Sequence, residues 1–580
     1  MSLGVSKLNF IQTIDERINT KRLSKVQYAI ETTGTENTYN QFPIQNISSS
    51  GFTITCNPPN RNVFVNRKFY LEVTYQITFT GTSISGPLLQ CPGLQSSTGQ
   101  ALGTRYDDAP RAYPLANSLS NIAVNLNGDV ISTNLNEYIR ALTRYHNEVV
   151  TCQDRAESYT PTMLDQYLHY SEGFQAARGE LMDYQHNPYQ NPRGGYPYVD
   201  VIRNDVGGGT ITAIVNLRVM EPVYLSPLGF QCDRDKPSFI GLDTITLVGT
   251  FGGRGNGNLG GLASALWSHS DRLNTANPIT SVSVNVSPSV GPQNAYFQYI
   301  TPPLDMEISN ENVYEFHNPI YYSTTQPLFT SSMPPQVFPL NNIQLNSIPD
   351  RMYIWCSKRD QDVTILDTDT YFGITNVNIT LNNKAGILST ASQYDLYNMS
   401  VRNGINMDFT QFIKRCGSVL CLKFGEDIPL ANLLTSGVRG SYNFSAQVTC
   451  QNIYGDNITP SLNVLFVSTG TYTISNGSCY RSVGDVTESD VLNTRNTQEI
   501  PMQQPPAYDA LGGLNWSDVV NFFKKAGRAA INVAKVAVPQ LAPQYLPAVT
   551  AADFAAQSLG FGKMRGGRKL TRKQMIDMMR

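Results

Sequence analysis

The 580-residue sequence has few charged residues and few of the residue types that build long helices. Asp, Glu, Lys and Arg make up 15% of it, while hydrophobic residues make up 41%. The chain is poor in Glu, Lys and Leu, and it contains 44 Gly and 33 Pro, which favour turns. This composition argues against a mainly helical protein and predicts large buried cores made of strands joined by turns.

Long uninterrupted apolar runs are also missing. No run is long enough to cross a bilayer as a helix. The first residues, Met1 to Lys7, contain no apolar signal core. We therefore expect a soluble protein that is made in the cytosol and is not secreted through a signal peptide.

The residues that build metal and catalytic sites occur in no recognisable spacing. The nine cysteines form no CxxC or Cys/His ligand pattern, and we expect reduced, mostly buried thiols, with Cys356, Cys421 and Cys450 inside apolar strands. The five histidines form no HExxH motif, and no strained glycine turn surrounds a serine. The sequence thus predicts a structural protein rather than an enzyme, with no metal and no cofactor.

Two short segments resemble ligand sites only superficially. Gly255–Gly260 follows a strand and precedes an apolar segment, as the glycines of a dinucleotide site do, but the strand–helix alternation of such folds is missing around it. Asp367 and Asp369 supply two carboxylates, which leave most of a calcium coordination shell unfilled. We predict that the first segment is a flexible loop and the second a solvated turn.

The dominant pattern in the chain is strand-like alternation. Lys68–Phe79 and Ile279–Val286 place apolar residues at every second position, with mainly polar residues such as Thr, Ser and Asn between them. Such segments mark sheets with one buried face. Short strands of this kind, separated by Gly, Pro and Asn turns, are typical of sandwiches and jelly rolls.

The alternating segments occur twice in the same order. The matching pairs are Val65–Leu71 with Ile348–Ile354, Asn121–Gly128 with Asn376–Asn383, and Val215–Val219 with Leu420–Phe424. After the second pair, each half has a short helical stretch, with Tyr138 in one and Tyr394 in the other. A repeat on this scale is much longer than a solenoid unit and predicts two similar domains in tandem.

Composition along the chain predicts five regions. They are an N-terminal arm, partly helical, at 1–25; a first strand-rich domain at 26–307, with a long loop insert at about 146–210; a second at 308–490; a polar linker at 491–513; and a basic tail at 514–580.

Several segments, taken with the order of the repeated elements, are similar to those of double jelly-roll major capsid proteins of the virophage and polinton-like virus type. These segments are Cys56–Pro59, Trp267–Asp271, Leu345–Pro349 and Gly386–Ser389. The resemblance implies an all-β fold of two tandem eight-stranded jelly rolls, with short helical inserts and a C-terminal amphipathic helical tail. It also implies homotrimeric, pseudo-hexameric capsomers in the icosahedral capsid of a double-stranded DNA virion, assembled in the infected host cell. The implied partners are neighbouring capsomers and penton or minor capsid proteins.

Two other functions are compatible with strand-rich domains. Paired jelly rolls also occur in carbohydrate-binding and carbohydrate-active proteins, which need a cleft lined by paired carboxylates and aromatic residues. The strand-rich blocks contain no obvious pair of that kind. A penton or spike protein would not need two matched barrels.

The tail differs in charge from the rest of the chain. From Leu514 onward there are 11 Lys and Arg residues against 3 Asp, a net charge of +8, so the remainder of the chain carries -10 of the total of -2. A basic tail on an acidic body suggests an anionic partner, such as genome DNA, a membrane surface or a neighbouring subunit.

The first part of the tail has the periodicity of an amphipathic helix. Polar residues recur at spacings of three and four between Asp518 and Lys535, and apolar residues fall on other faces: Trp516, Val520, Phe523, Ala530 and Ala534. Two interpretations remain, a helix in a membrane interface and a helix packed under the shell against other subunits.

Each of two further motifs has a functional interpretation and a purely structural one. Pro505, Pro506 and Tyr508 match the PPxY ligand of WW domains, or belong to a plain linker. Met564, Gly566 and Gly567 resemble the cleavage signal of adenovirus-type cysteine proteases, which implies a viral protease as a partner; the alternative is a flexible hinge. Cleavage after Gly567 would release a basic peptide suited to binding DNA, which contains Arg568, Lys569, Arg572 and Lys573.

Overall fold

The computed structural model describes residues 11–13, 30–32 and most of 36–487. Within the last range, the undescribed residues are 68, 84–85, 90–107, 112–113, 147–197, 224–237, 270–277, 304–307, 368–369, 383, 406, 416, 432–433 and 455–456. All the described residues belong to one compact unit.

Strands dominate the described residues. Those of the first half are β1 Ile11–Thr13, β2 Ile30–Thr32, β3 Glu36–Pro43, β4 Asn46–Ser48, β5 Gly51–Thr55, β6 Phe64–Val65, β7 Tyr70–Ser83, β8 Asp108–Pro110, β9 Leu119–Leu126, β10 Asp129–Thr133, β11 Tyr198–Asn204, β12 Gly209–Pro222, β13 Ile245–Phe251, β14 Trp267–His269, β15 Ile279–Asn285 and β16 Asn294–Thr301.

The second half repeats the plan. They are β17 Glu311–Thr325, β18 Gln336–Ser347, β19 Arg351–Lys358, β20 Gly373–Leu381, β21 Lys384–Ile387, β22 Val419–Lys423, β23 Arg439–Gln451, β24 Pro460–Ser475 and β25 Ser478–Val483. Short helices interrupt the strands at α1 Pro114–Ser118, α2 Leu135–His146, α3 Leu262–Leu266 and α4 Gln393–Arg402, with a 3-10 helix at Asp360–Asp362 and a π-helical turn at Gln411–Arg415.

Each half is a sandwich of two sheets, which we call barrel 1 and barrel 2, with the eight main strands of each labelled B to I in chain order. In barrel 1 these are β3, β5, β7, β9, β10, β12, β13 and β16. They form a sheet in the order G-D-I-B, with β11 added beyond G, and a second sheet in the order F-E-H-C, with β4 beyond C. In barrel 2, β17 to β24 form the sheets B-I-D-G and C-H-E-F. The same strand order in both halves confirms two tandem eight-stranded jelly rolls.

The repeated sequence segments occupy equivalent places in the two barrels. Asn121–Gly128 contains most of strand E and its turn in barrel 1, and Asn376–Leu381 lies in strand E of barrel 2. Each barrel has a helix between strands F and G, α2 in one and α4 in the other. The order of the sequence repeat is therefore the order of the fold.

The turns between strands E and F explain why an asparagine occurs at the same place in both repeats. Asn127 and Asn382 both have left-handed backbone angles, with φ of 49° and 52°. Asn tolerates this region, and two-residue hairpin turns with positive φ match the twist of the strands that they join. The turn chemistry thus fixes the same hairpin in both barrels.

Two regions differ from the expectations drawn from sequence. The arm predicted to be partly helical contains strand β1, which pairs in parallel with β2. The predicted loop insert at 146–210 includes a strand near its end, because Tyr198–Asn204 pairs with β12 as an added edge of the sheet. Residues 147–197 of the insert and the whole predicted tail lie outside the described residues.

Most buried apolar residues of both barrels form one continuous core cluster, and Phe64, Ile240 and Ile300 form a small separate one. In barrel 1 the alternation is regular: along Ile245–Phe251, every second residue is buried. Within the described part of the chain, no helix has the length and apolar character needed to cross a membrane.

Candidate assembly site

The contact between the two barrels, here called the barrel seam, contains the most specific chemistry of the described residues. Helix α2 forms its centre. Leu135, Ile139 and Leu142 are spaced to lie on one face of this helix and are buried. Tyr138 and Tyr145 are buried on its adjoining faces.

The end of α2 attaches barrel 1 to strands D and G of barrel 2. The Arg144 guanidinium donates a hydrogen bond to the Gly417 carbonyl at 2.9 Å and lies over the Tyr371 ring, 4.2 Å from its centroid. The Tyr145 hydroxyl donates to the carbonyl of Val419, and burial raises the pKa of this tyrosine well above its ordinary value. The phenol is therefore neutral and remains a donor at physiological pH.

A second contact surrounds strand β14. The Asp108 carboxylate accepts hydrogen bonds from Trp267 Nε1 at 2.9 Å and lies 2.9 Å from Nδ1 of His269. Arg111 donates to the carbonyls of Trp267 and Thr364, each at 3.1 Å, and so joins the two barrels. This buried acid and its two ring partners hold β14 in place, which explains why His269 lies beside a tryptophan in the sequence.

The glycine-rich segment Gly255–Gly260 was predicted to be a flexible loop, and the structure contradicts that prediction. The Gly255 amide donates to the Asp360 carbonyl of barrel 2 at 2.7 Å, and the Ile365 amide donates to the Leu259 carbonyl at 2.9 Å. A Cβ at Gly255 would lie 1.7 Å from the Val363 carbonyl oxygen. The glycine allows two backbones to approach each other closely, so its role is packing rather than mobility.

The predicted solvated turn at Asp367 is also wrong for the residue that is described. Asp367 is buried, and both of its carboxylate oxygens lie 2.9 Å from the Lys358 ammonium. One oxygen also accepts from the Thr364 amide at 2.9 Å. Asp367 thus fixes the connection between strands D and E against the seam, whereas Asp369 lies outside the described residues.

A third contact lies at the start of barrel 2. The Tyr314 hydroxyl accepts a hydrogen bond from the Ile240 amide at 3.0 Å and donates to the Ser238 carbonyl at 3.2 Å. Its ring packs edge-on against Phe239, at 4.8 Å between centroids, and Arg67 lies over the other ring of this pair. The seam thus runs from strand B of barrel 2 to the connection between its strands F and G.

The seam covers the part of the outer face of the barrel 2 B-I-D-G sheet that lies on strands D and I. Tyr353 and Leu465 point away from the core of their own barrel, opposite Met352 and Phe466, yet both are buried. Tyr353 packs edge-on against Tyr145 of α2, at 5.2 Å. Around Tyr353 and Leu465 this sheet is therefore apolar on both faces, as expected where a sheet is packed on both sides.

Comparison with known proteins identifies the family. The family model described as "Sputnik virophage major capsid protein 1st domain" matches residues 7–299, and that described as "Major capsid protein V20 C-terminal domain" matches residues 322–470. The chain belongs to the Sputnik virophage major capsid protein family. It is 28% identical to "Putative capsid protein V20" of Sputnik virophage, over 99% of both chains.

Solved structures of capsid proteins agree with this assignment. The chain resembles one from the cryo-EM structure of the Sputnik virophage, with a TM-score of 0.70 and 27% identity over 88% of this chain and 99% of that one. The mavirus major capsid protein shares the fold, with a TM-score of 0.61 and 14% identity over 84% and 98% of the two chains. The capsid protein is therefore a structural component of the virion, and the carbohydrate-active alternative is set aside.

Helix α4 of the capsid protein is the counterpart of α2, but it faces solvent. A capping box begins it, because Ser392 Oγ accepts from the Asp395 amide and the Asp395 carboxylate accepts from the Ser392 amide. Leu396 and Ser400 are buried, while Tyr394 is 56% exposed and Val401 43% exposed. An aromatic group thus reaches the surface at the place where α2 is covered.

Sequence reasoning did not find the seam residues or Glu221. The Glu221 carboxylate is fully buried and accepts hydrogen bonds from the amides of Leu115 and Ala116 at 2.9 and 3.0 Å. Burial raises the pKa of this carboxyl from its ordinary value to about 8. The available signal was a charged residue at a position that alternation with Val215, Leu217 and Val219 assigns to the buried face.

The cysteines inside strands have the predicted character. Cys356, Cys421 and Cys450 are buried and unpaired by disulfides, and burial raises the pKa of Cys421 to about 12. Within the described residues, no three His, Cys, Asp or Glu side chains are grouped so that they could hold a metal ion. The WW-ligand, cleavage, amphipathic and basic tail residues all lie outside the described part of the chain.

Proposed function

We propose that this capsid protein forms homotrimeric capsomers with a pseudo-hexameric outline, which tile an icosahedral shell around a double-stranded DNA genome. The observation that carries the proposal is the barrel seam. It joins the F–G helix of one barrel to the B-I-D-G sheet of the next. Repeating this kind of contact between chains closes a ring of three copies, because each copy supplies two similar barrels.

The two halves of such a contact are both available on the chain. The F–G helix of barrel 2, α4, exposes Tyr394 and Val401, and its aromatic cluster extends to Phe409, which lies 5.3 Å from Tyr394 between ring centroids. The outer face of the B-I-D-G sheet of barrel 1 carries half-buried apolar side chains, including Ile214 and Tyr296. A helix with aromatic residues and a partly apolar sheet face are suitable partners, since interface cores are enriched in aromatics.

Light scattering of the purified protein tests the trimer. We expect a particle of about three times the chain mass of 64.1 kDa, with a hexagonal outline in negative stain. The double variant Tyr394→Glu and Val401→Asp should give monomers with an unchanged melting temperature, because both side chains are exposed. Leu328→Glu is the matched control: Leu328 is 57% exposed in the loop between strands B and C, outside the proposed contact. Monomers from the unmodified protein would contradict the proposal.

The basic tail is proposed to serve assembly and maturation. Support comes from its net charge of +8 on a body of -10 and from the Met564-Arg-Gly-Gly567 segment. A viral cysteine protease that cuts after Gly567 would free the peptide containing Arg568, Lys569, Arg572 and Lys573, ending its electrostatic contact with DNA. Mass spectrometry of purified virions tests this; a chain that still ends at Arg580 in mature particles would contradict it.

Two further roles of the tail region are proposals of the same kind. The helix with Trp516, Val520 and Phe523 is proposed to pack under the shell against neighbouring capsomers, penton or minor capsid proteins, with a membrane interface as the second candidate. Flotation with anionic vesicles distinguishes them, since only membrane binding carries the tail to the top of the gradient. Pro505, Pro506 and Tyr508 are proposed to recruit a host WW-domain protein. Loss of WW-domain pull-down in Tyr508→Ala tests that role.

A further inference from the structure

The sequence contains four Asn-Gly pairs, and the structure holds them in two different ways. They are Asn127–Gly128, Asn256–Gly257, Asn403–Gly404 and Asn476–Gly477. An asparagine side chain reacts most readily with its own backbone when glycine follows, because glycine has no Cβ to shield its nitrogen. The side chain must turn toward that nitrogen to react, so hydrogen bonds that hold either group suppress the reaction.

The first pair, in the turn between strands E and F of barrel 1, is held on both reacting groups. The Asn127 side chain accepts a hydrogen bond from the Asp243 amide at 2.7 Å and donates one to the Gly241 carbonyl at 2.9 Å. The Gly128 amide donates to Asn125 Oδ1 at 2.8 Å. Several hydrogen bonds must therefore break together before this pair can react.

The pair at the end of helix α4 is held in the same manner. Asn403 Nδ2 donates to the Cys421 carbonyl at 2.7 Å and to the Asp427 carboxylate at 2.9 Å. The Gly404 amide donates to the Val401 carbonyl at 3.0 Å. This asparagine is likewise fixed away from the nitrogen that would attack it.

The other two pairs lack these bonds. Asn256 and Asn476 are exposed. Within the part of the chain that the structure describes, neither side chain forms a hydrogen bond, and the amides of Gly257 and Gly477 donate none. Asn476 and Asn127 have nearly the same φ, 50° and 49°. The difference between their two turns therefore lies in the hydrogen bonds and not in this angle.

We propose that Asn256 and Asn476 are sites of spontaneous covalent modification, at which the asparagine deamidates while Asn127 and Asn403 remain intact. The glycine nitrogen attacks the side-chain carbonyl carbon, the new C–N bond closes a succinimide ring, and the side-chain nitrogen leaves as ammonia. Water then opens the ring at either carbonyl, which gives aspartate or isoaspartate. Water is the one co-reactant, and no electrons are exchanged.

Modification of Asn256 affects the barrel seam directly. The preceding residue, Gly255, donates its amide to the Asp360 carbonyl of barrel 2 at 2.7 Å, and its backbone lies against Val363. An isoaspartate lengthens the main chain by a methylene group. Because the backbones at Gly255 are already in close approach, the longer chain displaces this contact.

Modification of Asn476 affects a second contact between the barrels. A Cβ at Gly477 would lie 2.9 Å from a guanidinium nitrogen of Arg61, which belongs to barrel 1. Arg61 Nε donates to the Asp243 carboxylate at 2.6 Å. A new carboxylate beside Gly477 competes with Asp243 for this arginine. Both modifications thus weaken contacts between the two barrels as the protein ages.

Peptide mapping by mass spectrometry tests the assignment of the sites. The folded full-length protein is kept at mildly alkaline pH in heavy-oxygen water, so that each ring opening incorporates a heavy oxygen. Asn256 and Asn476 should react roughly tenfold faster or more than Asn127 and Asn403. In denaturant the four pairs should react at similar rates, because the fold no longer separates them. An Asn256 or Asn476 that reacts no faster than the hydrogen-bonded pairs in the folded protein would overturn the proposal.

A variant that cannot form the ring tests the effect on the seam. Asn256→Gln has a side chain too long to close the same ring, and Asn476→Gly removes the side-chain amide and tolerates positive φ. The melting temperature of the unmodified protein should fall during ageing, while that of the double variant should not. Asn258→Gln, at an exposed asparagine that no glycine follows, is the matched control and should age like the unmodified protein. An equal fall in the double variant would contradict a role for these two sites.

Discussion

Glu221 makes the stability of barrel 1 dependent on pH. Its carboxyl has a pKa of about 8 in the folded protein because burial disfavours the charge, against 4.5 in an exposed chain. Between these values the folded state holds a proton that the unfolded state has released. With respect to this group, stability is therefore greatest below pH 4.5 and falls between pH 4.5 and about 8, by on the order of 5 kcal/mol.

Thermal unfolding at a series of pH values measures this effect. We expect the melting temperature to fall between about pH 4.5 and about pH 8, and Glu221→Gln, which cannot ionise, to lack this part of the slope. The Gln amide cannot accept both backbone bonds, so the variant should be less stable than the unmodified protein at low pH. Parallel profiles for the two proteins would show that Glu221 is not the titrating group.

Gly255 and Gly257 are a matched pair of positions for testing the close approach of two backbones at the seam. Both have positive φ, 73° and 84°, but a Cβ at Gly255 meets the Val363 carbonyl while one at Gly257 meets open space. Gly257→Ala should cost roughly 1 kcal/mol of backbone strain. Gly255→Ala should cost about 3 kcal/mol or more, because the loop must also leave barrel 2. Denaturant unfolding of the two variants measures the difference; equal costs would mean that the approach is not required.

At the scale of elements, helices α2 and α4 occupy the same position in the two barrels, but α2 is buried in the seam and α4 is exposed. Tyr145→Phe leaves the Val419 carbonyl buried without its hydrogen bond, which should destabilise the protein by about 1–3 kcal/mol. Tyr394→Phe, in the exposed counterpart, should change the stability little. Chemical denaturation of both variants compares them, and a loss in Tyr394→Phe as large as in Tyr145→Phe would contradict the distinction.

Strands whose pattern is local could be predicted from the sequence, and strands that depend on distant contacts were predicted less well. Strand E and its asparagine turn were recognisable in both halves, since one buried face gives alternation and a tight turn needs a residue that tolerates positive φ. Strand β24 runs from Pro460 to Ser475, and its first nine residues are all buried. Barrel 1 buries its second face, and this removes the alternation.

The assembly site was harder to predict than the fold. Arg111, Arg144 and Arg254 are buried at the seam, but their partners lie more than 100 residues away in the chain. An arginine in a helix or loop has no local sequence pattern that distinguishes a buried partner from solvent. Only the repeat itself, which predicts two similar barrels side by side, indicated that a seam had to exist.

At the scale of the whole molecule, the shared core predicts that the two barrels unfold together. Most of their buried apolar residues form one cluster, and barrel 2 alone would expose Tyr353 and Leu465 to water. We expect a single calorimetric transition for the unmodified protein. Residues 308–487 expressed alone should aggregate or remain partly folded; a soluble, cooperatively folding fragment would show that the seam is dispensable.

The two-sided burial of strand β24 also constrains how this lineage can change its sequence. A substitution at Leu465 or Tyr353 disturbs the fit to barrel 1, so we expect it to be tolerated only with a compensating change in that barrel. The outer positions of strand H, such as Asn443 and Gln447, have no such intramolecular partner in the core. We therefore expect correlated substitutions across the seam in related viruses. A single-barrel protein derived from barrel 2 would first have to replace the apolar residues on the outer face of its B-I-D-G sheet.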